Sequence, residues 1–96
     1  MSPINKKKLN LLRIKLDKLD NELLKLIKKR SNLVNEVLKV KIHKKEIIDQ
    51  KRIKFILSKI KQKSIQSNLD PKITNRIWKN MIWSFIDYEK RNFKRK

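Results

Sequence analysis

The sequence predicts an all-α fold with three helices per chain, a long N-terminal helix and an intertwined helical-bundle homodimer. The chain has 96 residues, no glycine and only two prolines, Pro3 and Pro71. It therefore offers almost no turn chemistry, so long helices are expected and sheets are not. From Leu9 onward, apolar residues recur in alternating steps of three and four, as in a helix that packs along one seam. The length indicates a single domain over residues 1–96.

Helix 1 is predicted over residues 5–42, with Ser2 or Asn5 available as its cap. At a rise of about 1.5 Å per residue, it is a rod of more than about 50 Å. A heptad seam of this kind buries its residues against a partner helix. The first seam position is filled by Leu9, Leu16, Leu23, Arg30 and Val37, and the second by Leu12, Leu19, Leu26, Leu33 and Val40.

Two shorter helices follow a polar connection at residues 43–45. Helix 2 is predicted over residues 49–67, with an inner face of Ile53, Ile56, Leu57 and Ile60. Asp70 and Pro71 start helix 3, predicted over residues 71–92, because aspartate caps the first amides and proline suits the first helical position. Beyond helix 3, the basic tail at residues 91–96 is expected to fray. The apolar face of helix 3 is broad and comprises Ile73, Ile77, Trp78, Met81, Ile82, Phe85 and Ile86.

The seam of helix 1 is too long for the rest of the chain to cover. Helix 2 spans only about half the length of helix 1, so much of the seam from Leu9 to Val40 stays unpaired within one chain. An apolar patch of that size is larger than soluble monomers tolerate. An intertwined dimer, in which two long helices pack together, is the economical solution. The alternative is a monomer whose helix 1 breaks near Asn21.

The net charge of +19 makes a nucleic acid or an anionic membrane an obvious partner to consider. Of the 28 basic residues, 22 are lysines, and they mostly occupy solvent-facing positions of the helical pattern. We expect solvated surface and no nucleic acid partner, because no basic groove with interleaved aromatics surrounds Trp78 or Trp83. Trp83 is expected to face the dimer partner or solvent. No apolar run is long enough to span a membrane, and the absence of cysteine suits a reducing cytoplasm.

Arg30 occupies a seam position at which a leucine is expected, so a permanent charge enters a helical core and needs an anionic partner. Lys41 lies on the same stripe, about 20° away on a helical wheel. Two cations that face inward from one stripe indicate a pocket for an anion; the alternative is a structural Arg30 paired with Glu36. Arg13 lies about 25 Å from Arg30 along the rod, so it reaches the same site only from the other chain of an antiparallel pair.

The charges and apolar residues form one ordered pattern. Helix 1 carries Leu12-Arg13, Leu16-Asp17, Leu19-Asp20, Leu23-Leu24, Leu26-Ile27 and Arg30, and continues through Val37 and Lys41. Helix 2 opens with Ile47, Asp49 and Arg52, and the third helix follows Leu69-Asp70 with Ile77-Trp78, Met81-Ile82, Phe85 and Glu89. This set, from about Leu9 to Glu89, resembles the all-helical chorismate mutases of the AroQ class.

The resemblance implies a domain-swapped helical dimer with two equivalent sites, which converts chorismate to prephenate in aromatic amino-acid biosynthesis. By analogy, Arg30 and Arg13 of the other chain bind the two carboxylates of chorismate. Lys41 donates to the ether oxygen or a nearby carboxylate, Arg52 supports the carboxylate end and Asp49 meets the substrate hydroxyl. The reaction is a unimolecular sigmatropic rearrangement, so it needs no nucleophile, metal or cofactor. The protein positions the substrate and stabilises charge that develops on the ether oxygen.

Two positions of this chain point to a related activity. Most family members carry a glutamate directly after the arginine of helix 2, where this chain has Ile53, and many have serine where it has Phe85. The related isochorismate-pyruvate lyases, which share the fold, have an aliphatic and an aromatic residue at these places. The alternative function is therefore isochorismate-pyruvate lyase, as the main or a side activity.

Glu89 is a further departure, because most members have a glutamine there that donates to the ether oxygen. An ionised carboxylate has no proton to donate, so this role requires a protonated Glu89. We therefore expect activity to fall as pH rises and Glu89→Gln to flatten the profile. The alternative is a plain surface acid that pairs with Lys90 or Arg91.

Two non-enzyme functions compete with the enzyme. A nucleic-acid-binding helical protein predicts steeply salt-dependent binding of DNA or RNA, whereas a coiled-coil interaction module gives no reason for a charge at Arg30. His43 has no second ligand at metal spacing, so no metal site is expected. We expect no fused catalytic or regulatory domain, and the sequence leaves open whether prephenate goes to phenylalanine or tyrosine.

Overall fold

The structure, a computed structural model, describes residues 2–94 of the chain. These residues form three α-helices and one short 3₁₀ helix and contain no β-strand, which confirms the all-α class and the long first helix. The part of the basic tail beyond residue 94, which was expected to fray, lies outside the described residues. The helices are α1 at Pro3–Val40, the 3₁₀ helix at Lys44–Ile47, α2 at Gln50–Gln66 and α3 at Pro71–Asn92.

The chain divides into two compact units, and the boundary falls within α1. The first unit ends at Leu33 and consists of the N-terminal part of α1. The second begins at Val34 and holds the last turns of α1, the 3₁₀ helix, α2 and α3.

α1 begins at Pro3 because Ser2 caps it. The hydroxyl oxygen of Ser2 accepts a hydrogen bond from the backbone N–H of Asn5 at 3.1 Å. Proline at the first helical position leaves no N–H unsatisfied and has its φ already set for a helix. α1 runs unbroken through Asn21, so the alternative of a helix broken there is wrong.

One carboxylate and one buried side chain order the connection between α1 and α2. Oε1 of Glu46 accepts from the backbone N–H groups of Ile42 and His43 at 3.2 and 2.8 Å. Ile47 is buried. The segment therefore forms a 3₁₀ helix rather than the plain polar connection that the sequence predicted, and α1 ends at Val40 instead of residue 42.

α2 and α3 pack against each other and carry most of the core. The buried residues all belong to the second unit, so the core lies there. Burying each isoleucine side chain stabilises the fold by roughly 1.5–3 kcal/mol. The core's buried apolar members are Ile47, Ile53, Ile82 and Ile86, and the half-buried Leu38, Ile48, Ile56, Leu57 and Phe93 pack around them.

The turn between α2 and α3 uses an asparagine where many proteins use glycine. Asn68 has a φ of 57°, in the left-handed region that asparagine tolerates better than most residues. The N–H of Leu69 bonds to the carbonyl of Ser64 at 2.8 Å, and that of Asn68 to the carbonyl of Ile65 at 3.2 Å. This Schellman-type end satisfies the last carbonyls of α2. Asp70 then caps α3 as predicted, accepting a first-turn N–H at 2.9 Å.

A buried pair of hydroxyls fixes the register of α2 against α3. Ser64 Oγ donates to the carbonyl of Ile60 at 2.6 Å, and Thr74 Oγ1 lies 2.7 Å from the same Ser64 oxygen. Either hydroxyl can be the donor in this second bond, because Thr74 Oγ1 also lies 3.4 Å from the carbonyl oxygen of Pro71. The C-terminal turn of α2 therefore stays level with the first turn of α3.

Much of the predicted apolar seam is exposed in the single chain. In the described part of the chain, no residue of α1 is buried. On α3, Ile73 and Ile77, two members of the predicted broad apolar face, are exposed in the single chain. Both lie more than about 130° from the buried Ile82 on a helical wheel, beyond the contact with α2. Five seam leucines of α1 are 54–60% exposed, namely Leu12, Leu16, Leu19, Leu23 and Leu26.

Candidate functional site

Two charged side chains of the second unit meet in a mostly buried ion pair. Nζ of Lys41, just beyond α1, lies 3.1 Å from Oε1 of Glu89, in the last turn of α3. The two side chains are only 17% and 7% exposed, so water screens the pair weakly. The alternative in which Glu89 is a surface acid paired with Lys90 or Arg91 is therefore wrong; Arg91 bonds to Asp87 instead.

The ammonium group of Lys41 has binding capacity beyond this pair. It carries three N–H donors, and its single hydrogen bond within residues 2–94 goes to Glu89. Lys41 also lines a shallow cavity that is open to solvent and has a volume of about 440 Å³, which lies within the range of small-molecule sites. Glu89 thus fixes the position of a cation whose remaining donors can bind a ligand.

The cavity beside Lys41 lies at the N-terminus of α2. It brings together Lys41 and Asp49, two of the residues that the sequence selected. Oδ1 of Asp49 accepts from the N–H of Arg52 at 3.0 Å, and its second oxygen makes no hydrogen bond in the described part of the chain. Glu46 is occupied by two backbone N–H groups. The complete lining is Lys41, Glu46, Ile48, Asp49, Gln50 and Lys51.

Gln50 and Lys51 are cavity residues that the sequence analysis did not select. Within residues 2–94, neither side chain makes a hydrogen bond or an ion pair. An amide that is both donor and acceptor and a primary ammonium are therefore free to meet a ligand. The sequence feature that could have selected them is their position in the first turn of α2, directly after the capping Asp49. At that end of a helix, the backbone amides also favour anions.

Arg52 does not line this cavity, although the sequence places it in the site. Its guanidinium carbon lies 5.3 Å from the centre of the Phe55 ring, one turn further along α2. Nζ of Lys59 lies 5.7 Å from the same ring centre. Such a contact at an exposed position contributes about 0.5–1 kcal/mol, so the Phe55 ring holds Arg52 only weakly.

Arg13 and Arg30 both lie on α1 in the first unit. Arg13 is exposed and Arg30 is half-buried. They are separated by about 25 Å along the helix, as the sequence analysis estimated, so the two side chains of one chain cannot share a small ligand.

Ile53 belongs to the core. It is 8% exposed and packs with Ile47, Ile82 and Ile86. The glutamate that most chorismate mutases carry at this place is therefore replaced by a residue that stabilises the fold. Any hydrogen bond to a ligand hydroxyl has to come from another side chain.

A larger cavity, of about 620 Å³, lies between the last turns of α1 and α3. None of the sequence-selected residues lines it. Its most enclosed polar groups satisfy each other, because the hydroxyl of Tyr88 donates to Oδ1 of Asn35 at 2.8 Å. The smaller cavity is the better candidate site, because only there does a buried cation retain unused donors.

Among the described residues, no group of three or more His, Cys, Asp or Glu side chains could hold a metal ion. No helix in residues 2–94 is both long enough and apolar enough to cross a membrane.

Comparison with known proteins identifies one family. A family model described as chorismate mutase type II matches residues 12–90, which span most of α1 and all of α2 and end within α3. Neither the curated proteins nor the solved structures contain a match.

Proposed function

We propose, from the premise that this chain belongs to the chorismate mutase type II family, that it converts chorismate to prephenate. Membership of this family makes the chain an isomerase. The single observation that carries the specific proposal is the Lys41–Glu89 pair beside a cavity of small-molecule size. We place the reaction in aromatic amino-acid biosynthesis and, because a chain without cysteine suits a reducing compartment, in the cytoplasm.

Lys41 supplies the electrostatic part of catalysis in this proposal. In the rearrangement, the C–O bond of the ether breaks while a C–C bond forms within the same molecule, and negative charge grows on the ether oxygen. The free donors of Lys41 face that charge from a mostly buried position, where a fixed donor is worth far more than in water. Glu89 orients Lys41 through the ion pair; the donor role that the resemblance gives to this position requires a group that carries a proton.

Three arginines bind the carboxylates in this proposal. Arg30 takes one carboxylate, and Arg13 of the partner subunit takes the other. Arg52 supports the carboxylate end after leaving the Phe55 ring. This exchange is favourable, because a hydrogen bond to a charged group contributes about 1.5–3 kcal/mol and the ring contact only about 0.5–1 kcal/mol.

Asp49 and Gln50 bind the ring hydroxyl in this proposal. The second carboxylate oxygen of Asp49 accepts the hydroxyl proton, and the Gln50 amide donates to the hydroxyl oxygen. Gln50 thereby replaces the missing glutamate, because Ile53 is buried in the core.

We propose an intertwined, domain-swapped homodimer as the functional form. The support is the seam of half-exposed leucines along the first unit, from Leu12 to Leu26, and the exposed Ile73 and Ile77 on α3. An apolar surface of this extent needs a partner. A second copy also provides the Arg13 that one chain cannot bring to its own site.

Isochorismate-pyruvate lyase remains the second candidate, favoured by the aliphatic Ile53 and the aromatic Phe85. Incubating the protein separately with chorismate and isochorismate, with product identification, distinguishes the two. The proposal predicts prephenate from chorismate with a higher kcat/KM than pyruvate release from isochorismate. If the protein only releases pyruvate from isochorismate, the lyase is its function. If it converts neither compound, both proposed functions are wrong.

A further inference from the structure

The cations of α2 and α3 are not spread evenly over the surface. α2 contains six basic residues and no acidic one, whereas α1 carries Asp17, Asp20, Glu22 and Glu36 among its lysines. No cation of α2 takes part in a salt bridge within residues 2–94. The positive charge of α2 is therefore left without internal compensation, whereas on α3 Arg91 pairs with Asp87.

Some of these cations lie on one face of the α2·α3 hairpin. On α2, Lys51, Lys54 and Lys61 lie within about 80° of one another on a helical wheel, and all three are exposed. On α3, an exposed stripe lies within about 60°, and its members are Lys72, Arg76, Lys79, Trp83 and Lys90.

The two stripes adjoin across the hairpin. Lys61 and Lys72 line one shallow cavity between α2 and α3. Because the helices are antiparallel and the Ser64–Thr74 bond fixes their register, Lys54 lies at about the level of Trp83. We name these eight residues the basic face. Two acids border it. Asp70 lines a cavity with Lys72 and Arg76 and accepts the backbone N–H of Lys72, and Asp87 pairs with Arg91 at 2.9 Å.

Trp83 lies in the middle of the α3 stripe and is 47% exposed. Lys79 lies one turn before Trp83, and Asp87, which pairs with Arg91, lies one turn after it. The next members of the stripe on either side are Arg76 and Lys90. An exposed indole on a mostly cationic stripe can stack on the face of a nucleobase while the cations contact phosphates. A membrane surface fits less well, because insertion into lipid needs apolar residues around the indole.

We infer that the basic face of the α2·α3 hairpin binds single-stranded nucleic acid, with Trp83 stacking on a base and the seven cations contacting phosphates. This surface is separate from the proposed active site except at Lys51, which borders both. The inference does not depend on the proposed enzymatic function. It revises the expectation that the positive charge is only solvated surface.

The test measures binding of a fluorescent oligodeoxythymidine of about 20 nucleotides by anisotropy. With seven phosphate contacts, affinity falls roughly 10³-fold between 50 and 200 mM salt. The triple variant Lys54→Gln, Lys61→Gln, Lys79→Gln is expected to bind about 100-fold more weakly at 100 mM salt. Trp83→Leu is expected to lose about tenfold, as for one lost stacking contact.

The matched control removes three charges from α1 instead, as Lys7→Gln, Lys18→Gln and Lys28→Gln. It is expected to change affinity less than about threefold, because these lysines lie outside the contact. Circular dichroism verifies that each variant keeps its helices. Four results overturn the inference: no binding by the unmodified chain, equal losses in both triple variants, an unchanged affinity in Trp83→Leu, or tighter binding to phosphatidylglycerol vesicles than to the oligonucleotide.

Discussion

Lys41 and Glu89 form a 3.1 Å ion pair between the end of the first helix and the last turn of the third. The two residues are 48 positions apart in the chain, so the pair ties these two parts of the second unit together. It also leaves two ammonium donors of Lys41 for a ligand. The same pair therefore joins two parts of the fold and, in the proposed function, belongs to the active site.

Loss of the ammonium group is expected to destabilise the fold. Lys41→Met leaves the mostly buried Glu89 without its partner, which costs about 3–5 kcal/mol of unfolding free energy when the remaining charge stays buried. Urea denaturation at fixed protein concentration measures the change. Lys39→Met is the control, because Lys39 pairs with Glu36 at the surface and such pairs contribute only about 0–1 kcal/mol. Equal small effects of both variants contradict a stabilising role for the buried pair.

The variant Glu89→Gln tests the donor role of position 89. The carboxylate that pairs with Lys41 at 3.1 Å has no proton to donate to the ether oxygen, whereas an amide is a donor and still offers Lys41 an acceptor. Glu89→Gln is therefore expected to raise kcat/KM for chorismate, and Glu89→Leu, which has neither group, is expected to lower it. Equal kcat/KM values for the two variants show that position 89 contributes no donor.

Gln50 is expected to recognise the ring hydroxyl. Gln50→Leu removes one neutral hydrogen bond, worth about 1–1.5 kcal/mol, and so lowers kcat/KM for chorismate roughly tenfold. Gln62→Leu, an exposed change on the same helix away from the cavity, is expected to have no effect. The specific check is a substrate analogue without the hydroxyl, on which Gln50→Leu and the unmodified enzyme are expected to act equally. A tenfold loss on the analogue as well rules out hydroxyl recognition by Gln50.

Mixed dimers test whether Arg13 acts across the interface. Arg13→Ala and Lys41→Met are each expected to inactivate both sites of a homodimer. In a heterodimer of the two variants, one site has an intact Lys41 together with Arg13 from the other chain. Unfolding and refolding an equimolar mixture is therefore expected to restore about a quarter of the unmodified activity, because half of the dimers carry one good site of two. Activity that stays at the level of the parents excludes a shared site.

Local sequence signals predicted several features correctly. The Asp70-Pro71 pair starts α3 where expected, because a capping carboxylate and a preset φ act within one turn of the chain. The heptad pattern predicted one long helix, and α1 is continuous. The resemblance also selected Lys41 and Asp49 as site residues; the two line one cavity, and their roles stay predictions.

Features that depend on particular side-chain contacts were not predicted. The 3₁₀ helix forms because Ile47 is buried and Glu46 accepts two backbone N–H groups, neither of which the hydrophobic period reveals. Arg52 stacks on Phe55, a contact between exposed side chains that spacing permits but does not require. The basic face was missed because it joins residues of two helices, and no single helical pattern contains it.

The central claim is that Lys41 is the donor in a cofactor-free rearrangement of chorismate. The most direct measurement is kcat/KM for conversion of chorismate to prephenate in the presence of a chelator, for the unmodified enzyme, Lys41→Met and Lys39→Met. We expect prephenate from the unmodified enzyme, unchanged activity in Lys39→Met and a loss of about 10²–10³-fold in Lys41→Met, as for a removed transition-state donor. Prephenate formation at the same rate by a folded Lys41→Met, or none by the unmodified enzyme, contradicts the claim.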